Sequence, residues 1–244
     1  MFSNGGNSAP LGGWTVPRPV FKRLQVIPSE GPVDPLFTLN ILRTHLRQPS
    51  PLDDDYLKTV ILPTAVDAVE QYISRTLITK NLRMWMDFIP GMGRDDSYNQ
   101  NGVIEAPVSY SGGTSFRWFD LMSAPVTEVT SINFITDAGD EVVFDDANYI
   151  ADFSDPDANA RIILQRGSVW PTDLRVAKSL FIDYKAGYGA ATDVPASLKH
   201  AVLLIATALY TNRGDSADAQ DMVLHFPAIT ALLNPYRIIK IGTL

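Results

Sequence analysis

Cysteine is absent from the 244-residue sequence, and histidine occurs only three times. The lack of cysteine excludes disulfide bonds, thiolate metal sites and cysteine nucleophiles. The histidines His45, His200 and His225 each stand alone in the sequence, and no Gly-x-Ser-x-Gly, His-Glu-x-x-His or phosphate-loop motif occurs. A structural role is the favoured interpretation of each histidine. We therefore expect no catalytic residues, no cofactor and no metal site.

Positive charge is also scarce. The chain has 20 Lys and Arg against 27 Asp and Glu, which gives a formal net charge of −7. Proteins that grip DNA through its phosphates carry a basic face, whereas the basic residues here are scattered along the chain. The composition disfavours DNA binding by charge neutralisation, and it leaves open an acidic surface that repels DNA.

No hydrophobic run is long enough to cross a membrane. The longest, Ala201 to Leu209, is much shorter than the roughly 20 residues that a bilayer requires. The segment from Met1 to Pro19 lacks the basic and apolar regions of a signal peptide. Because 45% of the residues are hydrophobic, a sizeable core can form. We expect a soluble protein that is made in the cytoplasm.

The order of the elements predicts an α+β fold, in which a β-unit is inserted between the helices of a four-helix bundle. Residues 1–35 are rich in proline and glycine and predict an extended arm. This arm either lies on a neighbouring subunit or is a flexible terminus, and the sequence favours neither. The main domain spans residues 36–234, and residues 235–244 form a C-terminal tail. Helices are predicted at 39–47, 54–75, 195–212 and 227–233.

Helix boundaries follow from capping residues and prolines. Thr38, Asp53 and Asp193 are predicted N-caps, and Asp54 and Asp55 suit the first turn of a helix. Pro63 should kink or split the second helix.

The β-unit covers residues 78–186 and follows the second helix. Asp137-Ala-Gly-Asp140 is a good hairpin turn between two of its strands. The polar segment 91–117 predicts a long loop. The candidate strands are 82–88, 116–119, 126–136, 141–144, 149–153, 161–164 and 179–184.

Two segments resemble ligand-binding motifs only in part. Gly187-Tyr188-Gly189 lies between a strand and a helix, as a phosphate loop does, but the third glycine and a lysine are missing. Asp155-Pro-Asp157-Ala-Asn159 has three ligand positions of a calcium loop, but Ala160 replaces the required glycine and Arg166 the bidentate glutamate. A tight turn is the favoured interpretation of each segment, with a weak cation site at 152–159 left open.

The C-terminal tail begins after Pro235, which ends the last helix. Tyr236-Arg-Ile-Ile-Lys-Ile241 is rich in β-branched residues and predicts a strand. Such a strand is unstable alone. It either adds to the sheet edge of another chain or folds back on the β-unit of its own chain.

The sequence from Phe181 to Arg213 closely resembles the head–tail connector, or adaptor, proteins of tailed bacteriophages and gene transfer agents. The resemblance lies in Ala186-Gly-Tyr-Gly189, Asp193-Val-Pro195 and Tyr210-Thr-Asn-Arg213. Three further stretches agree in the same order, so that the resemblance covers roughly residues 36–240. They are 53–79, Ala124 to Ile135, and Leu232-Leu-Asn-Pro-Tyr-Arg237.

This resemblance implies a structural protein of the virion neck. Members of the family form a ring, commonly of twelve subunits, between the portal and the head-closure or tail proteins, and DNA passes through the lumen without specific binding. The C-terminal segment would then bind the portal, through Tyr236, Arg237, Ile238, Ile239, Lys240 and Ile241. The alternatives are a tail-completion or minor capsid protein and a virion-associated hydrolase.

Overall fold

The computed structural model describes residues 22–27, 35–48, 50–87, 117–212 and 226–238. The remainder of the predicted arm and of the loop at 91–117 lies outside these residues. Eight strands and four helices are described below, numbered in chain order.

Four helices form a helical layer around one core. Helix α2 covers residues 54–73 in three continuous segments: an α-helical turn, a π-helical turn and a longer α-helix. The helices are α1 (Leu39–Leu46), α2 (Asp54–Tyr56, Leu57–Ile61 and Leu62–Ile73), α3 (Ala196–Thr211) and α4 (Pro227–Leu233), with 3₁₀ turns at Pro51–Asp53 and Asn234–Tyr236.

The apolar stripes of the four helices meet in one buried core. Helices α2 and α3 supply most of it, through residues such as Val69, Ile73, Leu198 and Val202, and Leu42 on α1 also belongs to it. Helices and antiparallel sheets confirm the mixed α and β character of the predicted fold. A regular four-helix bundle is not confirmed, because α1 and α4 have only 8 and 7 residues.

One local prediction for α2, the N-cap role of Asp53, is wrong, and one alternative of another is excluded. Pro63 does not split the helix; a π-helical turn at Leu57–Ile61 precedes it. This wider turn accommodates the proline ring, which in a regular α-helix meets the carbonyl four residues earlier. Asp53 makes no side-chain cap bond; Ser50 caps the preceding 3₁₀ turn by accepting from the N–H of Leu52.

The strands confirm the predicted antiparallel pairing and form two sheets that share one core. The five-stranded sheet has the order β1-β2-β8-β4-β5, and the three-stranded sheet has the order β3-β7-β6. The strands are β1 (Lys22–Ile27), β2 (Lys80–Met86), β3 (Trp118–Asp120), β4 (Val126–Ile135), β5 (Glu141–Phe144), β6 (Tyr149–Asp152), β7 (Arg161–Leu164) and β8 (Leu180–Ala186).

The inner faces of the two sheets pack around Trp170, which is 3% exposed. Its ring lies 5.8 Å from that of Phe119 on the small sheet and 5.2 Å from that of Phe144 on the large sheet. Alternation along β2 directs Leu82, Met84 and Met86 into the same core, as the period of a half-buried strand requires. The β-unit therefore has a hydrophobic core of its own.

The turn between β4 and β5 confirms the predicted hairpin at residues 137–140. Gly139 has φ +94° and donates its N–H to the carbonyl of Thr136 at 3.0 Å. A residue without a side chain is favoured at such a positive φ.

Part of the predicted N-terminal arm lies on the chain's own sheet. Lys22–Ile27 forms β1 and pairs antiparallel with β2 along its whole length. It occupies the edge of the sheet, which is where a proline-flanked strand is tolerated.

Candidate functional site

Arg75 connects the helical layer, the β-unit and the C-terminal segment. Helix α2 ends at Ile73, and its C-cap residue Ser74 has a left-handed φ of 57°. The next residue, Arg75, has a side chain that is only 2% exposed. Its guanidinium donates to the carbonyls of Tyr236 at 2.6 Å, Pro156 at 2.7 Å and Asp157 at 2.9 Å. One buried cation therefore holds three separate segments together.

Glu70 fixes the next step of the chain, from α2 into the sheet. Its carboxylate accepts from the N–H of Leu77 and from Nζ of Lys80, both at 2.8 Å. Sequence reasoning missed the roles of Arg75 and Glu70. Each is a charged residue close to the end of an apolar helix. The partners of Arg75 are distant in sequence, whereas those of Glu70 lie only 7 and 10 residues away.

The first half of the predicted portal-binding segment lies on its own subunit. Tyr236 is part of the 3₁₀ turn Asn234–Tyr236 rather than of a strand, because Pro235 in the first turn favours helical geometry. The predicted strand is therefore wrong at this residue. The Arg237 guanidinium lies 4.7 Å from the centre of the Tyr72 ring. Ile238 donates its N–H to the carbonyl of Ile73 at 3.0 Å. Ile239, Lys240 and Ile241 lie outside the described residues.

The segment with partial calcium-loop character is occupied by protein groups. Asp155 accepts from the N–H of Asp157 at 2.9 Å. The carbonyls of Pro156 and Asp157 accept from Arg75, whose Nη2 also lies 3.2 Å from the carboxylate of Asp157. The guanidinium thus takes two main-chain oxygens of this loop and lies beside the Asp157 carboxylate, which favours a turn. The buried Oδ1 atom of Asn159, the third predicted ligand, has no hydrogen-bond partner among the described residues.

The glycine pair after β8 forms a tight turn whose amides are satisfied internally. The N–H groups of Gly187, Tyr188 and Ala190 donate to the Pro125 carbonyl, the Leu77 carbonyl and the Asp193 carboxylate at 2.9, 3.1 and 2.9 Å. These donors are not turned toward a phosphate. The predicted N-cap role of Asp193 is wrong, because its side chain closes this turn and makes no cap bond to α3.

The histidines and the aspartate run have structural surroundings. The rings of His45 and His200 lie edge to face, 6.2 Å apart. Burial, and secondly the charge of His200, lower the pKa of His45. His225 lies outside the described residues.

Asp53 accepts from the Tyr210 hydroxyl at 2.6 Å, and Asp54 forms an ion pair with Arg43. Within the described ranges, no group of three or more His, Asp or Glu side chains could hold a metal ion.

None of the helices in the described part of the chain is long and apolar enough to cross a bilayer. No protein-family model matches the sequence, and no curated protein does. Similarity to known proteins therefore rests on three-dimensional structure.

Three solved structures of gene transfer agent (GTA) particles contain chains with a similar fold. The TM-score is 0.63 at 23% identity for the neck of an empty particle with C6 symmetry. It is 0.64 at 22% for the virion of a native particle, and 0.61 at 22% for the neck of a native particle with C12 symmetry. Each match covers 90% of this chain and 97% of the other. The chain therefore has the fold of a protein from the neck of gene transfer agent particles.

Proposed function

We propose that this protein is a non-enzymatic structural subunit of the neck of a phage-like particle. In this proposal it forms an adaptor ring between the portal and the head-closure or tail proteins, and DNA passes through the lumen. The observation that carries the proposal is the likeness to chains of GTA necks over 90% of this chain. The C6 and C12 symmetry of those neck structures supports a ring.

The contacts of the near-motifs support a structural role. The amides after β8 and the carbonyls at residues 156–157 are bonded within the protein, so both motifs serve the fold. No observation favours a virion-associated hydrolase. A tail-completion or minor capsid protein would differ from an adaptor in its partners rather than in its residues.

The distribution of charge supports passage of DNA without adhesion. Between positions 137 and 160 there are Asp and Glu residues but no Lys or Arg. Most of these acidic positions are exposed on the β-unit. A negative surface does not hold a polyanion that moves past it. The acidic residues are Asp137, Asp140, Glu141, Asp145, Asp146, Asp152, Asp155 and Asp157.

We propose further that Tyr236–Ile241 attaches the ring to the portal. Its first residues are anchored on the subunit, through the Arg75–Tyr236 and Ile238–Ile73 hydrogen bonds. The residues after Ile238 are then the portion that can pair with a sheet edge of the portal, because main-chain hydrogen bonds give affinity in that mode.

Two truncations test this attachment. Ending the chain after Ile238 keeps both anchoring bonds, so the melting temperature should stay unchanged while binding to the portal is lost. Ending it after Asn234 should lower the melting temperature as well. Portal binding by the chain that ends after Ile238 would refute the attachment.

The ring itself is tested by measuring the mass of the purified protein, alone and with portal, together with negative-stain imaging. We expect a closed ring, with twelve subunits as in the C12-symmetric neck, either in solution or on the portal. A protein that remains monomeric in the presence of portal would overturn the proposal.

A further inference from the structure

The five-stranded sheet has two open edges. Strands β1 and β5 end the order β1-β2-β8-β4-β5, and within the described residues neither pairs with a strand on its outer side. An open edge presents unpaired N–H and C=O groups, which natural proteins cover or protect.

Exposed valines lie along both edges. Val26 on β1 is 56% exposed and Val142 on β5 is 47% exposed. Both belong to the inner face of the sheet, because Val26 pairs with Leu82 and Val142 pairs with Phe134. They are exposed because no strand lies beside them, so a further strand at either edge would cover them.

The two edges carry opposite charge. Strand β1 begins with Lys22 and Arg23. The hairpin ahead of β5 supplies Asp140, and the strand itself begins with Glu141. In a parallel contact between two β5 edges, or two β1 edges, like charges would lie side by side, which destabilises a strand pair. In an antiparallel contact of that kind the charged N-terminal ends would lie at opposite ends of the pair and would not neutralise each other. A β1 edge and a β5 edge attract each other. A contact between two different surfaces of identical subunits builds a closed ring when the rotation from one subunit to the next divides a full turn evenly.

Strand direction and alternation suit such a contact. Neighbouring strands in the sheet are antiparallel throughout, so β1 and β5 run in the same direction. Rotation about an axis along the strands keeps this direction, and β5 of one subunit then lies parallel to β1 of the next. Their basic and acidic N-terminal ends meet, with Arg23 beside Glu141 on the outer face and Leu24 beside Val142 on the inner face.

We propose that β5 of each subunit pairs in parallel with β1 of its neighbour, so that the five-stranded sheets join into one continuous sheet around the ring. This interface rests on the proposed ring function and specifies the surfaces that close it. The partner is a second copy of this chain.

Disulfide cross-linking tests the register, since the chain contains no cysteine of its own. Gln25→Cys and Val143→Cys place thiols side by side on the outer face. Within one subunit these positions are four strand spacings, roughly 19 Å, apart, too far for a disulfide. Oxidation of the double variant should therefore give a ladder of covalent oligomers up to the full ring. The matched control, Gln25→Cys with Val142→Cys, puts the thiols on opposite faces and should give almost no ladder.

The outcomes separate the interface from the ring. Rings that form without a ladder, or with equal ladders from both cysteine pairs, would overturn the interface and leave the neck function standing. Absence of rings both alone and on the portal would refute the proposed function, and the interface with it.

Charge reversal provides the second measurement. Arg23→Glu and Glu141→Arg should each raise the protein concentration at half assembly by about tenfold, and the double variant should return it to within about threefold of the wild type. Unchanged melting temperatures show that the variants fold. Additive losses in the double variant would contradict the pairing of Arg23 with Glu141.

Discussion

Arg75 offers a direct test of how the helical layer, the β-unit and the C-terminal segment are joined. Its side chain is 2% exposed and donates to carbonyls of three residues, Tyr236, Pro156 and Asp157. A hydrogen bond with one charged partner contributes about 1.5–3 kcal/mol net. Water entering the vacated space would partly replace these bonds. We therefore expect Arg75→Ala to lower the free energy of unfolding by roughly 3–5 kcal/mol.

Two further substitutions separate the carbonyl contacts from the ion pair. The Asp157 side chain is 83% exposed, so its attraction to Arg75 is screened, and Asp157→Ala should cost less than about 1 kcal/mol. Arg75→Lys keeps the charge but not the planar guanidinium that reaches two segments at once. It should lower the free energy of unfolding by about half as much as Arg75→Ala does.

Urea unfolding followed by circular dichroism measures all three variants. For a chain of this length, each kcal/mol shifts the melting temperature by about 2–4 °C, so Arg75→Ala should melt roughly 10 °C below the wild type. A loss under about 1 kcal/mol for Arg75→Ala, or an equal loss for Asp157→Ala, would refute the assignment of Arg75 as the joining residue.

Three other outcomes follow from the site. Gly187→Ala should lower the free energy of unfolding by roughly 3 kcal/mol, because its φ is +140° and a Cβ would lie 2.4 Å from the Thr79 nitrogen. Gly167→Ala, where no atom lies within 4 Å of the added Cβ, should lower it by about 1 kcal/mol. Thermal unfolding measures both. The pKa of His45 is lowered in the folded protein, so the unfolded chain binds the proton more readily. The melting temperature should therefore fall as the pH drops below about 6.5. His45→Gln should make the melting temperature depend less steeply on pH in this range. Mobility-shift assays at physiological salt should show weak or no duplex DNA binding, and tight, salt-sensitive binding would contradict a repelling lumen.

Elements set by neighbouring residues could be predicted from the sequence. Strands β5 and β7 and helix α4 occur at the predicted residues, because alternation, turn residues and proline act over a few positions. The division into two sheets could not be predicted. It depends on which strands pair. Trp170 is one of the core residues that touch both sheets, and its position in a loop gave no periodic signal.

Helix caps and the contacts of Arg75 were predicted less well, because one polar side chain can satisfy several different partners. Asp53 and Asp193 both precede helices, yet one accepts from the Tyr210 hydroxyl and the other from the Ala190 amide. The choice depends on residues more than a hundred positions away in the first case. For Arg75, every partner is distant in sequence, so local pattern could not show that its charge is buried and bonded.

The bonds of Arg75 also bear on how the proposed ring would hold the portal. The root of the tail, at Tyr236, is bonded to the same guanidinium as the loop between β6 and β7. Ile238 is bonded to the end of α2. A force applied to the residues beyond Ile238 would therefore be transmitted through these hydrogen bonds to both the helical layer and the β-unit. Since β1 and β5 are the edges of the large sheet that shares its core with the small sheet, portal attachment and ring closure would be coupled through one packed core, and Arg75→Ala should weaken portal binding even with the tail sequence intact.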